Sequence, residues 1–403
     1  MTIALRIVVG VVVLSVTVLA ASTSWTGVGT TRDERYGRGV GLAGDLNGDG
    51  IEEFMVGAVG ANNWTGRVHV HNGATKVIVA TLIGEGIGYR LGGRLTGAGD
   101  FNGDGQPDVA VASVKWGADQ RGKAYVLSGP VPSLSAPLFS VTGSAGDSLG
   151  DELRGGFDFN RDGFDDILVS SPYNDEGAAD GGKIQVLGGP DGRVLFSRAG
   201  TDAGRSLGIS AGIGDINADG FLDVIAGSFY SSGAGRVTVY SGLTGGVILT
   251  KTSPQSDDRF GVVVSSAGDF NGDGFGDFAV AAPGSGKTYL YAGPNGTLLT
   301  VKNDAAEAMA FVRDVNGDGF SDLAVGVPSH KEAGKLVGRI TVYGGNALGS
   351  GVVLATLTGP GSYSNFGYYL AGGTELTASG WPDLLAGAPE LNRKGAAYIL
   401  SLP

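Results

Sequence analysis

Short apolar runs recur along the chain, separated by clusters of Gly, Asp, Asn and Ser. The runs FMVGA, VAVAS, ILVSS, VIAGS, FAVAA and LAVGV each finish in small residues. Each is followed by a Gly-led run: GRVHVHNG from Gly66, GKAYVLSGP from Gly122, GKIQVLGGP from Gly182, GRVTVYSG from Gly235, GKTYLYAG from Gly286 and GRITVYGG from Gly338. A further run closes the unit, as in VIVATLIG from Val77 and VVLATLTG from Val352. Runs this short, bounded by turn formers, predict β-strands and leave no room for sustained helical periodicity. The predicted fold class is therefore all-β, with 75 Gly accounting for many tight turns.

The runs belong to a repeat. Before each apolar strand stands Asp-x-Asn-x-Asp-Gly-x-x-acid, in six copies that begin at Asp45, Asp100, Asp158, Asp215, Asp269 and Asp314, spaced 55, 58, 57, 54 and 45 residues apart. Gly37, Gly92, Gly150 and Gly261 stand eight residues upstream, with Gly208 one closer, and an aromatic or Leu precedes each: Tyr36, Leu91, Leu149, Leu207, Phe260. The sixth unit has Ala305-Ala306 at this place. A seventh, eroded copy has Phe366-Gly367, the loop ELTASGWPD from Glu375, then LLAGAP and GAAYILSLP, and is one strand short. STSWTGVGTTRDERYG from Ser22 resembles ATLTGPGSYSNFG from Ala355, with Trp25-Thr26-Gly27 expected in the place of Leu357-Thr358-Gly359. Seven four-stranded units, the last completed by the N-terminal strand, predict a seven-bladed β-propeller, a ring that closes its own sheet edges.

The acidic loops carry the candidate chemistry. Calcium takes about six to eight oxygen ligands. In the first loop Asp45, Asn47 and Asp49 offer alternate side chains, the carbonyl of Ile51 is a further donor and Glu53 closes the cage. The same roles fall to Asp100, Asn102, Asp104, Gln106 and Asp108, and to Asp158, Asn160, Asp162, Phe164 and Asp166. They recur in Asp215, Asn217, Asp219, Phe221 and Asp223, in Asp269, Asn271, Asp273, Phe275 and Asp277, and in Asp314, Asn316, Asp318, Phe320 and Asp322. An EF-hand would need a Glu at position twelve and a helix after it; here position twelve is Val or Ala inside a strand-like run. A metal-free Asx-turn hairpin is the alternative, and six copies with the ninth-position acid favour about six calcium ions. The seventh loop, with Glu375, Thr377, Ser379 and Asp383, is expected to bind weakly or not at all.

Charge fits this reading. The net charge is −12, and three acidic positions in each of six loops hold eighteen of the 40 acids. Six calcium ions would bring the chain near neutrality. There is no basic patch to suggest a nucleic-acid partner. Residues 1–21, with Arg6 ahead of an apolar stretch and small residues at Ala20, Ala21 and Ser22, read as a signal peptide, leaving residues 22–403 as the propeller. No second apolar span appears, so a secreted or extracellular protein without a membrane span is expected, with periplasm or cell surface as further possibilities. With no Cys, disulfides do not hold it together.

The aromatic-Gly pairs, the Asp-x-Asn-x-Asp-Gly-x-x-acid loops and the Gly-Ala-Pro or Gly-Val-Pro ends of LLAGAP and LAVGVP resemble the FG-GAP repeats of the integrin α-subunit head. The resemblance covers nearly all of residues 22–403. It implies a seven-bladed propeller, calcium in hairpin loops on one rim, a ligand-binding opposite face, and a role in adhesion or recognition. The chain departs from animal members in having no Cys and no room for an inserted adhesion domain, so a free-standing, monomeric propeller is expected. The connections between second and third strands should form the binding face; they hold Trp64, Trp116, Tyr173, Phe229 and Tyr230, which suit an extracellular protein or glycan ligand. The other class considered is an extracellular polysaccharide lyase or hydrolase. Only three His are present and the obvious acids already have loop roles, so the chain offers this class little, and a non-enzyme is expected.

Overall fold

A computed structural model describes residues 22–130, 132–229, 233–253, 255–266, 268–377 and 382–402. It contains seven four-stranded antiparallel sheets. In blade 1 the strands run Tyr36–Gly44, Glu53–Ala58, Arg67–His71 and Ile78–Ile83, in spatial order as in sequence. Blades 2 to 6 repeat this, with a small extra hairpin, Lys331–Glu332 with Lys335–Leu336, on blade 6. Blade 7 takes Leu370–Thr374, Asp383–Ala388 and Ala396–Ser401 from the end of the chain and Ser22–Val28 from its start. The expected all-β seven-bladed propeller, closed by the N-terminal strand, is the observed fold. No described helix is long and apolar enough to cross a membrane.

Burial explains the sequence pattern. Every residue of the second strand is buried in six of the blades over six positions, from Glu53–Ala58 to Asp383–Ala388, and over the five of Phe278–Ala282 in blade 5. A central strand covered on both faces by neighbouring blades is built of apolar and small residues after its leading acid, so it reads as a continuous run and not as an alternation. Outer strands such as Ile78–Ile83 are largely exposed. Among the described residues seven apolar clusters form, one between each adjacent pair of blades. The cluster of Tyr36, Phe54, Val56, Leu385 and Ile399 joins blade 1 to blade 7 and so closes the ring.

The aromatic- or Leu-Gly pair is the joint between blades. Leu91 bridges Gly66, the glycine that leads the third strand of the preceding blade; Tyr36, Leu149, Leu207 and Phe366 do the same with Gly395, Gly122, Gly182 and Gly338. Gly66 has φ +86°, and a Cβ there would run into the Leu91 backbone. In blade 6 the fully buried Ala306 stands at the joint, just before the strand Ala308–Val312.

The closing strand is present, but two residues from the expected alignment. Trp25 faces Ile399 and Gly27 faces Ala397. Gly29 N donates to Gly395 O at 3.0 Å, the bond that Gly359 N makes to Gly338 O at 3.0 Å in blade 6. Gly27-Val28-Gly29, not Trp25-Thr26-Gly27, thus takes the place of Leu357-Thr358-Gly359. A slip of two keeps each side chain on its face, which is why the strand itself was readable while its register was not. A bulge between Thr23 and Trp25 adds a further irregularity.

Candidate metal loops and the opposite face

All six complete loops join first to second strands, so they share one rim of the ring. Their internal bonding is nearly the same. In the second loop Asp100 Oδ2 accepts from Gly105 N at 2.8 Å and Oδ1 from Asp104 N at 2.9 Å. Asn102 Oδ1 accepts from Asp104 N at 2.8 Å, and Asp104 Oδ1 from Gln106 N at 2.9 Å. The glycine at position six turns the chain with φ +81°. Asp158, Asp215, Asp269 and Asp314 repeat the bond to the sixth-position glycine at 2.6 to 2.9 Å, and Asp45 at 2.8 Å. The first, third and fifth side chains therefore curl over one short arc, half-buried at the first position and exposed at the fifth.

The ninth-position acid is different. Asp108 is fully buried; its Oδ2 accepts from Phe101 N at 3.1 Å and its Oδ1 from Gly129 N, in the turn after the third strand, at 3.2 Å. Asp166 bonds Phe159 N at 2.7 Å and Gly189 N at 3.0 Å, and Asp223, Asp277 and Asp322 are held alike. Glu53, one methylene longer, also reaches Asn47 Nδ2 at 2.6 Å and Asn72 Nδ2 at 3.0 Å. Burial pushes Asp108, Asp166, Asp223 and Asp322 up to about 6 and Asp277 up to about 7, against backbone hydrogen bonds that pull them down. Because this carboxylate faces inward, no three His, Asp or Glu side chains meet as one metal-holding group among the described residues.

The remaining donors suit a hard cation. Each loop presents two carboxylates and an amide oxygen, all oxygen; most of these oxygens take one backbone bond, while Asp45 Oδ1 and Asp269 Oδ1 each take two. Among the described residues only the third loop has a basic side chain on them: Arg193 Nη2 lies 2.6 Å from Asp162 Oδ2. Burial acts to raise Asp162, but the bonds from Asn160, Phe164 and Arg193 outweigh it and hold it low. In loops two to six the asparagine Nδ2 donates to the fifth-position Asp at 2.9 to 3.0 Å.

The seventh loop separates the two roles. Residues 378–381, including Ser379, lie outside the described residues. Asp383, at the ninth position, still accepts from Leu376 N at 2.7 Å. Its Oδ1 is buried without a partner, because in blade 7 no covalent turn links the third strand to the fourth to supply the glycine N–H.

On the opposite rim the described aromatic candidates, Trp64, Trp116, Tyr173 and Phe229, fall on separate blades and are mostly engaged. Trp64 lies between the guanidiniums of Arg35 and Arg90, each 4.9 Å from its ring. Trp116 Nε1 donates to Glu85 at 2.6 Å and Lys123 Nζ sits 5.0 Å from its ring. Phe229 is half-buried with Arg259 5.6 Å away. Tyr173 is 43% exposed. Tyr230 lies outside the described residues. Among the described ring contacts none joins two of these candidates. The same rim has a second repeated device: the basic residue leading a third strand pairs with an acid in a connecting loop, as in Arg67 with Glu34, Lys123 with Glu85, Arg236 with Asp202 and Arg339 with Asp304. Sequence reasoning also passed over Arg38 and Arg94, whose signal was a charge in first strands otherwise built of small apolar residues.

Comparisons with known proteins agree with this architecture. The FG-GAP repeat family matches residues 92–127, 150–187, 260–298 and 305–343. These are blades 2, 3, 5 and 6, the last despite its Ala305-Ala306. The chain is similar to integrin alpha-PS5 of Drosophila melanogaster, 28% identical over 294 residues, which is 64% of this chain and 28% of that protein. It is similar to integrin alpha pat-2 of Caenorhabditis briggsae, 29% identical over 62% of this chain and 23% of that protein, and to integrin alpha-4 of Xenopus laevis, 27% identical over 58% and 24%. The matched region spans less than a third of each of these relatives. With seven blades, the acidic loops on one rim and these matches together, the chain is an FG-GAP repeat protein built as an integrin alpha-like seven-bladed β-propeller.

Proposed function

We propose that this chain is a secreted, calcium-stabilised propeller that recognises an extracellular protein or glycan and performs no catalysis. The observation that carries the calcium reading is the repetition of one all-oxygen arc in six loops, with the same backbone bonds at the first, third and fifth positions. Asp and Asn at those positions, the carbonyl at the seventh and the acid at the ninth would hold the ion. When bound, calcium would neutralise carboxylates that now crowd one another. The likeness to integrin alpha chains supports recognition as the role, and residues 1–21 support export. The exposed loops of the opposite rim, around Tyr173 and the clamped Trp64, are the proposed recognition face.

Calorimetric titration of chelator-stripped protein with calcium tests the reading. About six ions should bind, with a rise in melting temperature as the sites fill. Asp104→Ala should lower the stoichiometry by one ion. An unchanged stoichiometry in that variant, or no heat of binding in the parent, would overturn the assignment.

A further inference from the structure

The axis of the ring encloses a cavity of about 910 Å³ lined by the first strands of all seven blades. At its end away from the acidic loops stands Arg38, one residue past the Tyr36-Gly37 joint. Its guanidinium lies 4.4 Å from the Tyr368 ring centroid and 5.2 Å from that of Tyr369. Among the described residues no carboxylate pairs with it, and its Nη1 is buried without a hydrogen-bond partner. Arg94, from the next blade, reaches the same Tyr369 ring at 4.9 Å, and its Nε is also buried and unbonded. Its nearest acids are loose, with Asp151 at 3.9 Å and Glu152 at 3.8 Å, and Glu152 is already held by Arg154 at 2.8 Å.

Tyrosine faces hold a guanidinium in place without cancelling its charge. A buried charged N–H without an acceptor is costly, so such groups are met where an acceptor arrives from outside. The cavity end has four arginines, Arg38, Arg94, Arg154 and Arg259, against three carboxylates, Asp151, Glu152 and Glu307. That leaves one positive charge in excess, within a chain of net −12.

We propose that this mouth binds a small organic monocarboxylate, with Arg38 as the principal anchor and Arg94 beside it. A planar guanidinium matches a carboxylate with two parallel bonds. The single excess charge favours one carboxylate over a multiply charged ion, which Asp151 and Glu307 would repel. The volume suits a small molecule taken in whole. The site is at the opposite end of the channel from the calcium loops and does not depend on them.

The test is titration of the full chain, followed by chemical-shift perturbation, with sodium glucuronate, with glucose as its neutral twin and with sodium sulfate. Glucuronate should saturate at one site per chain, and Arg38→Gln should weaken it by about tenfold or more, the loss of one charged hydrogen-bonding group. Arg198→Gln, on the outer strand Arg193–Ala199 of blade 3 and away from the cavity, should leave it unchanged. If Arg38→Gln does not fold, Arg38→Lys, which keeps the charge but loses the fork, should still weaken binding. Glucose or sulfate binding as well as glucuronate would overturn the carboxylate assignment. Failure of glucuronate to bind would overturn the site as one for small molecules, including the case where an acidic side chain of a partner protein is the true occupant. Binding indifferent to Arg38 would remove its anchor.

Discussion

Replacing Trp25 by Ala tests the closure of the ring. Trp25 is half-buried on the N-terminal strand, with its ring 5.0 Å from Phe54 and 5.2 Å from His71, both edge-on. Truncating a fully buried Trp costs about 3–5 kcal/mol, and an aromatic edge contact adds about 0.5–1.5 kcal/mol beyond area. For a half-buried ring with two such contacts the expected loss is about 2–3 kcal/mol. For a chain of this size the unfolding entropy makes that a fall in melting temperature of about 3 °C. The assay is calorimetric melting with urea denaturation alongside, at fixed calcium. The control is Val28→Ala on the same strand, 50% exposed, which should change stability by about 0.5 kcal/mol or less. If Trp25→Ala and Val28→Ala melt together, the N-terminal strand does not lock blade 7 to blade 1. Removing residues 22–28 should go further and leave the strand Ala396–Ser401 as an open edge, detected as self-association in sedimentation.

Other substitutions separate further roles. Asp166→Asn leaves one oxygen for two buried donors, Phe159 N and Gly189 N, and should cost about 1–3 kcal/mol in urea denaturation even with calcium removed. Arg193→Gln removes the cation that sits on Asp162 and should tighten calcium at the third loop several-fold, read as a change in one site of the calorimetric titration. Burial, with help from Arg67 and His71, lowers His69 to about 4. A histidine depressed below its unfolded value of about 6.5 stabilises fully above that pH and loses its contribution as pH falls toward 4. Discounted for solvent screening, the loss is about 1–2 kcal/mol, and His69→Gln should flatten the melting-temperature profile between pH 6.5 and 4 relative to the parent.

The architecture was legible because its signals are periodic. Six acidic loops, the Gly-led third strands and the glycines at the blade joints recur with the strands they punctuate, and each answers a steric demand such as that at Gly66. What recurs weakly was misplaced. Ser22–Val28 and Val352–Thr358 share few residues, and a two-residue slip leaves the burial pattern intact, so nothing in the pattern opposed the wrong register. Contacts between loops of different blades had no local signal at all. Nothing near Trp64 in sequence announces that Arg35 and Arg90, one from each neighbouring connection, close over its ring. Arg38 is similar: its meaning comes from Tyr368 and Tyr369, which reach it only when the ring closes.

The eroded seventh loop bears on what the acidic motif is for. Selection for a cation alone would act on the first, third and fifth positions and on the ninth together. Selection for the hairpin alone would act on the ninth, whose carboxylate ties the loop to the turn after the third strand. Blade 7 has Glu375 and Thr377 in place of Asp and Asn yet keeps Asp383, buried and bonded to Leu376 N at 2.7 Å. The ninth-position acid therefore has a structural task that survives when the arc is lost. It follows that DxNxDG and the following acid, read together as one motif, include one carboxylate whose structural task stands apart from any ion. The inward carboxylate builds the blade whether or not an ion also reaches it, and the outward arc of Asp, Asn and Asp, present in six blades and replaced in the seventh, accepts the loop's own N–H groups while carrying two charges close together. Two aspartates on one short arc, the first half-buried and the fifth exposed, repel each other, a cost that an ion between them would remove. The persistence of both charges in six blades supports the proposal that the arc receives a cation.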